Sequence, residues 1–245
     1  MTGLAARLAS ALALLALWWI AARFAEARTL PSPEAVAAFL VREAQSGDLS
    51  RNVGATLARV AVSFCAAMAA GTALGLVLGR SRAADRLLDT PLLVLLNTPA
   101  LVITVLAYIW LGLTETAAIL AVALNKMPNV AVIMREGARG LDSGLEEMAQ
   151  AFRYDRRTWL RHVMLPQIAP FAVAAARSGL SLAWKIVLVV ELLGRPNGVG
   201  YAISYYFQLF DVAALFGYSL VFSAVMLAAD ALLLRPLDDH ARRWR

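Results

Sequence analysis

The sequence predicts an all-α protein that crosses a membrane several times. Three observations lead there: an apolar composition, six long apolar runs, and arginines gathered in the segments between them. Of 245 residues, 60% are hydrophobic and 16% charged, and the mean hydropathy is +0.66. A soluble domain is about 45–50% apolar and about 25% charged, so neither a water-soluble globule nor a disordered chain fits.

A helix rises about 1.5 Å per residue and the hydrocarbon core is roughly 30 Å thick, so a span needs about 17–25 mainly apolar residues. Runs at 8–24, 57–79, 91–112, 117–134, 170–193 and 213–234 meet that condition, and 1–245 reads as a single transmembrane domain. The first run follows Arg7 and precedes Ala25-Glu26-Ala27, a pattern that a cleaved signal peptide would share. Ahead of the second run, Ser32-Pro33-Glu34 predicts a short helix on the outer surface, with Ser32 as N-cap and Pro33 in the first position. Within the second run, Ala67, Gly71, Gly75 and Gly79 put a small residue at every fourth position, which opens one helix face to a close neighbour. Asn97-Thr98-Pro99 breaks the third run with polar groups and a proline. Such a step either lines a pathway or simply kinks the span. After the fifth run, Gly198 and Gly200 permit a tight turn, and Tyr201, Tyr205, Tyr206 and Phe207 follow it as an interfacial aromatic belt would.

Lys+Arg exceed Asp+Glu by 23 to 17, a net charge of +6. With the N-terminus inside, and Arg23 at the end of the first run counted as outer, fourteen basic residues fall in inner segments, five in outer ones and four within runs, so both termini are expected to be cytoplasmic. Charge divided among membrane-flanking loops excludes a nucleic-acid-binding face. Cys65 stands alone, and His162 and His240 are too far apart for a zinc pattern, so no metal site is expected. Glu146 and Glu147 point to different helix faces, and Asp238-Asp239-His240 lies in a charged tail, so neither makes a catalytic cluster.

The only two lysines, Lys126 and Lys185, both fall inside runs. A charge at mid-bilayer costs at least about 2.5–3.5 kcal/mol, so each must face a protein-lined cavity or a partner. One reading makes them the positive lining of an anion pathway, with Trp184 and Glu191 on the same run as Lys185 and Asn97 and Thr98 as polar neighbours. The other pairs them with Glu191, Glu115 or a neighbouring subunit.

The longest inner loop, 142–166, is the most informative. Asp142-Ser143-Gly144-Leu145-Glu146 contains a capping box in which Ser143 caps and Glu146 bonds back, so a helix is expected from about Leu145. It carries Glu147, Met148, Ala149, Ala151 and Phe152. A second amphipathic stretch, 155–162, precedes Val163-Met164-Leu165-Pro166, and Pro170 opens the fifth run. On these grounds alone, both stretches could be surface helices resting on lipid headgroups.

Glu147-Met148-Ala149, three residues, Arg153, nine residues and Val163-Met164-Leu165-Pro166 resemble the Glu-Ala-Ala loop of the membrane subunits of ATP-binding-cassette importers. Leu30-Pro31-Ser32-Pro33, Thr56-Leu57-Ala58-Arg59-Val60, the run Gly75 to Arg82, Trp184-Lys185, Glu191-Leu192-Leu193-Gly194 and Gly198-Val199-Gly200-Tyr201 are similar to the nitrate/sulfonate/bicarbonate branch of those permeases. Arg153 replaces the usual loop glycine, and Met148 the first alanine. The resemblance implies a type I importer permease fold with six transmembrane helices and a cytoplasmic coupling helix, in a bacterial inner membrane. It also implies two ATPase subunits docked on Glu147, Met148, Ala149, Ala151, Phe152, Arg153, Leu165 and Pro166, an external substrate-binding protein, and a second permease copy, most simply a homodimer. No Gly-Lys-Ser/Thr phosphate loop is present, so no cofactor is expected on this chain and ATP belongs to the partner subunit. A secondary transporter or channel would need no such partner, but no inverted repeat marks that class here.

Overall fold

The computed structural model describes residues 2–25, 29–229 and 231–232, and all regular structure among them is helical. Glu26, Ala27, the last residues of the sixth run and the tail with Asp238-Asp239-His240 lie outside the described residues. The helices are α1 (Thr2–Phe24), α2 (Pro33–Ser46), α3 (Asp48–Arg80), α4 (Arg82–Asn97), α5 (Ala100–Leu111), α6 (Glu115–Arg139), α7 (Ser143–Ala151), α8 (Arg156–Trp159), α9 (Leu165–Gly194), α10 (Val199–Gln208) and α11 (Val212–Ala229). Four helical stretches are long and apolar enough to cross a membrane: α3, α6, the continuous stretch 156–194 and α11. A fifth results if α4 and α5 count as one bent span, and α1 adds a shorter apolar stretch, Ala9–Phe24.

The core is the seam between α3, α6 and α9. The small-residue face of α3 lies on α6 so closely that a Cβ at Gly71 would sit 2.6 Å from the Val130 Cβ, and one at Gly75 would sit 2.6 Å from the Met134 Cβ. Both pairs advance together along the chain, so α3 and α6 run parallel. α9 runs antiparallel to α6, since Gly137 meets Phe171 and Asn129 meets Ser178.

Two expected boundaries are corrected. The run 91–112 is two helices bent by 99°. Proline disfavours the helical conformation of the residue before it, and Thr98 is accordingly extended, at φ −73° and ψ 126°. Asn97 Nδ2 donates to the Leu93 carbonyl at 2.8 Å and Thr98 Oγ1 to the Val94 carbonyl at 2.7 Å, which satisfies the end of α4. The stretch 155–162, expected as a separate surface helix, is instead continuous with the fifth span. A π-turn at Leu160–Met164 joins α8 to α9, at the point where Pro166 has no N–H to offer the His162 carbonyl.

Helix α2 forms as its residues predict: Ser32 Oγ accepts from Ala35 N at 3.3 Å, and Pro33 is the first helical residue. α1 is tied to the bundle by two tryptophans. Trp18 Nε1 donates to the Pro31 carbonyl at 3.0 Å, its ring stacks on Phe216, and Trp19 Nε1 donates to Glu34 at 2.8 Å.

Candidate functional site

The inner loop is anchored more firmly than a capping box provides. Asp142, not Ser143, caps α7: its carboxylate accepts from Gly144 N at 2.7 Å and Leu145 N at 3.4 Å, so the helix opens at Ser143. Glu146 does not bond back; it pairs with Arg80 at the end of α3. Gln167, on α9, accepts the Asp142 N–H at 2.8 Å and donates to the Val163 carbonyl at 2.9 Å. α7 is thereby fixed to the ends of two spanning helices.

The face this helix presents differs from the expected one. Ala149 is only 3% exposed and packs within the chain. Leu145, Met148 and Phe152, spaced i, i+3 and i+7, form the outward apolar stripe, and Phe152 is 72% exposed. Glu147, Ala151 and Arg153 are exposed beside them, as are Leu165 and Pro166 where α9 begins. An open groove of about 550 Å³ runs alongside, lined by Arg80, Glu146, Arg153, Tyr154, Arg156 and Trp159. Arg153 takes the left-handed conformation of a glycine, at φ +50°. Its N–H donates to Gln150 O at 3.0 Å and the Tyr154 N–H to Ala149 O at 2.9 Å, the paired bonds of a Schellman cap. The turn is therefore kept rather than remodelled, with an arginine in it.

The residues expected on the membrane path separate into two groups. Lys126, half-way along α6, is 7% exposed; Lys185 on α9 is exposed. Trp184 packs in the core against Phe222. Asn97 and Thr98 close α4, as described. Glu191 is fully buried and pairs with Arg59, not with Lys185, while Glu115 is taken by Arg59 and Arg195, so neither proposed lysine pairing forms.

Glu191 belongs to a buried polar joint at the end of the bundle opposite α7. Arg59, 4% exposed, donates to Glu191 at 2.6 Å, to Glu115 at 2.6 Å, to the Asn197 carbonyl at 2.8 Å and to the Asn197 side chain. Three successive amides of the α9–α10 connection are held by side chains: Gly198 N by Asn52 at 2.9 Å, Val199 N by Thr56 at 2.8 Å and Gly200 N by Glu191 at 2.9 Å. Gly198 sits at φ +113°, and a Cβ there would lie 2.5 Å from the Glu191 carboxylate oxygens, so the Gly-Val-Gly step is a steric requirement of this joint. Asn52 also donates to the Tyr218 hydroxyl at 3.0 Å, and that hydroxyl donates to Glu43 at 3.0 Å, which brings α2 and α11 into the same network. Burial and the hydrogen bond to Glu43 raise the pKa of Tyr206, whose hydroxyl also donates to that carboxylate. Sequence reasoning placed Glu191 on the path and passed over Asn52, Thr56 and Arg59. Their spacing of four and three residues, on one face of an apolar helix, was the available signal.

Residues 71–239 match the family described as the binding-protein-dependent transport system inner membrane component. The chain belongs to this family. The permease is 29% identical, over 89% of its own length and 79% of the relative's, to an aliphatic sulfonates transport permease protein, SsuC, of Bacillus subtilis. It is 32% identical to the Escherichia coli SsuC over 77% of its length and 72% of that protein's. Among solved structures, an amino acid ABC transporter crystallised with histidines superposes with a TM-score of 0.64 at 20% identity, covering 84% of the permease and 98% of that chain. The fold is therefore that of ABC transporter permeases, and the branch is the one its motifs resemble. The permease is a transport subunit of the membrane, and its family implies ATPase and substrate-binding partners.

Proposed function

We propose that this permease forms the membrane path of an ATP-driven importer for a small anionic solute and couples to a separate ATPase through the loop 142–166. One observation carries the coupling: a capped helix, braced by Arg80–Glu146 and by Gln167, that turns three large apolar side chains outward. Such a stripe on a charged loop is a docking face, and buried apolar anchors dominate the affinity of such faces while rim charges steer encounter. Phe152 and Met148 enter a groove of the ATPase, with Glu147 and Arg153 at its edge. Two copies of the permease, in a homodimer embedded in lipid, enclose the path; two ATPases dock beneath and a substrate-binding protein delivers solute from outside. Nucleic acid has no part in the assembly. The anionic character of the solute rests on Lys126 and Lys185 in mid-span and on the sulfonate relatives.

Phe152→Asp tests this. The variant is expected to fold, because the ring is in the open, and to weaken co-purification of the ATPase by roughly thirtyfold or more, the loss of one hot-spot anchor. ATP-dependent uptake into proteoliposomes falls with it. Full association and uptake by the variant, or solute uptake by the permease alone, would overturn the proposal.

A further inference from the structure

We infer that a polar band shared by α6 and α9 is the mid-membrane binding site for the oxyanion head of the solute, made by Lys126, Asn129, Ser178, Ser181 and Lys185. This deepens the reading of an anion path and rests on it.

The band is set by register. Ser178 Oγ donates to Asn129 Oδ1 at 3.3 Å, which levels residue 178 of α9 with residue 129 of α6. The helices are antiparallel, so Lys126, three residues before 129, stands level with Ser181, three residues after 178. Lys185 lies four residues further along α9, about 6 Å beyond them at 1.5 Å per residue. Ser178, Ser181 and Lys185 follow one another at helical spacing on one face of α9, where Ser178 is half-buried and Ser181 and Lys185 are left exposed by the described residues. Trp184 and Val187, on the opposite face, are sealed in the core.

Charge then identifies the ligand. Lys126 is more than nine-tenths buried, and among the described residues it has no hydrogen-bond or ion-pair partner. Its Nζ is nevertheless not sealed: among the described residues, the partnerless side-chain polar atoms shut from solvent are Ser63 Oγ, Arg135 Nε and Arg195 Nε. The stem is therefore packed while the ammonium keeps some access to solvent. Lys185 likewise has no partner among the described residues. Between Glu115 and Glu136 on α6, and before Glu191 on α9, the sequence contains no carboxylate, and Glu191 is locked to Arg59. Two uncompensated ammonium groups in mid-membrane cannot face lipid. With two hydroxyls and an amide beside them, they suit a sulfonate or carboxylate head, whose oxygens accept from all of these donors.

Cysteine reactivity tests the site without the ATPase or a known solute. In a Cys65→Ala background, Ser181→Cys is treated in membranes with two methanethiosulfonates, one carrying an ethylsulfonate and one an ethyltrimethylammonium. Rates are normalised to those of a free thiol. The anionic reagent is expected to be preferred roughly fivefold, as positive potential in a water-filled cleft requires. Lys185→Gln, an exposed change that the fold tolerates, should reduce that preference, and Lys126→Met should abolish it. An unreactive Ser181→Cys, or one without preference for the anion, overturns the site. The proposed coupling fails separately, through Phe152→Asp. A band that passes this test while the purified complex shows no ATP-dependent uptake would keep the site and refute the transport reading.

Discussion

Arg153 holds a left-handed backbone in which an L-residue's Cβ crowds its own carbonyl, a strain of about 1–2 kcal/mol that glycine escapes. The two bonds of the Schellman cap fix it there, because without the turn α7 could not hand the chain on to Asp155. The side chain is exposed, so nothing in the fold needs the arginine itself. Arg153→Gly should therefore firm the loop by up to about 1 kcal/mol, after glycine's own entropic cost. Slower amide exchange at residues 153 and 154 would register it; faster exchange would mean that the guanidinium contributes more than its backbone costs. The departure from the family glycine was plain in the sequence. Whether the turn survived it was not, since that depends on Gln150 and Ala149 presenting their carbonyls. At the next turn, Asp155 caps α8 through Thr158 N, and this bond, with the Thr158 side chain as the largest cause, holds its carboxyl below the usual carboxylate range. Its capping is therefore present above the ordinary carboxylate pKa and fades only as pH falls through the lowered value.

At the scale of elements, long apolar helices follow from composition, whereas their breaks follow from backbone bonds. The spans over α3, α6, α9 and α11 were legible because an apolar run of that length has few alternatives. The bend at Asn97-Thr98-Pro99 was legible as a polar step but not as a turn of 99°, because capture of the Leu93 and Val94 carbonyls by side chains decides it. The joint opposite α7 was legible only as three polar residues on one face of α3, and their partners were not. Arg59 and Glu191 are 132 residues apart and become partners only once α3 and α9 pack. Arg59→Met tests what the joint contributes. The change leaves Glu191 buried with no counter-charge, and breaking a buried pair in this way costs about 3–5 kcal/mol. A markedly lower unfolding temperature in detergent is expected for Arg59→Met. Glu191→Gln should cost less, because the amide oxygen still accepts from Gly200 N and Arg59 keeps Glu115. Equal melting of Arg59→Met and the parent would show that the joint is not what ties the α9–α10 connection to the bundle.

For the whole molecule, the two ends of α6 set the position of the membrane. Glu115 is tied to Arg59 and Arg195 at one end, and Arg135 to Asp85 at 3.2 Å and Asp89 at 2.7 Å at the other. Twenty residues of helix separate them, about 30 Å, which is the thickness of the hydrocarbon layer. Charges at either end are thus gathered into ion pairs one bilayer apart, and Lys126 lies midway between them. The basic excess is unequal between the ends. Among the described residues, Arg80, Arg82, Arg86, Arg135, Arg139, Arg153, Arg156, Arg157 and Arg161 share the end that carries α7, against Arg23, Arg42, Arg51 and Arg195 at the other. By the charge rule the α7 end is expected to face the cytoplasm, an orientation that the helices, being the same in either direction, do not determine by themselves. Single cysteines in a Cys65→Ala background decide it. Gln150→Cys on α7 should react with a membrane-impermeant maleimide only in inside-out vesicles, and Arg51→Cys in the first turn of α3 only in right-side-out ones. Both side chains are exposed, so the fold is undisturbed by either change. The reverse pattern would put the docking stripe outside, where no ATP is supplied, and would leave Leu145, Met148 and Phe152 without the partner proposed for them.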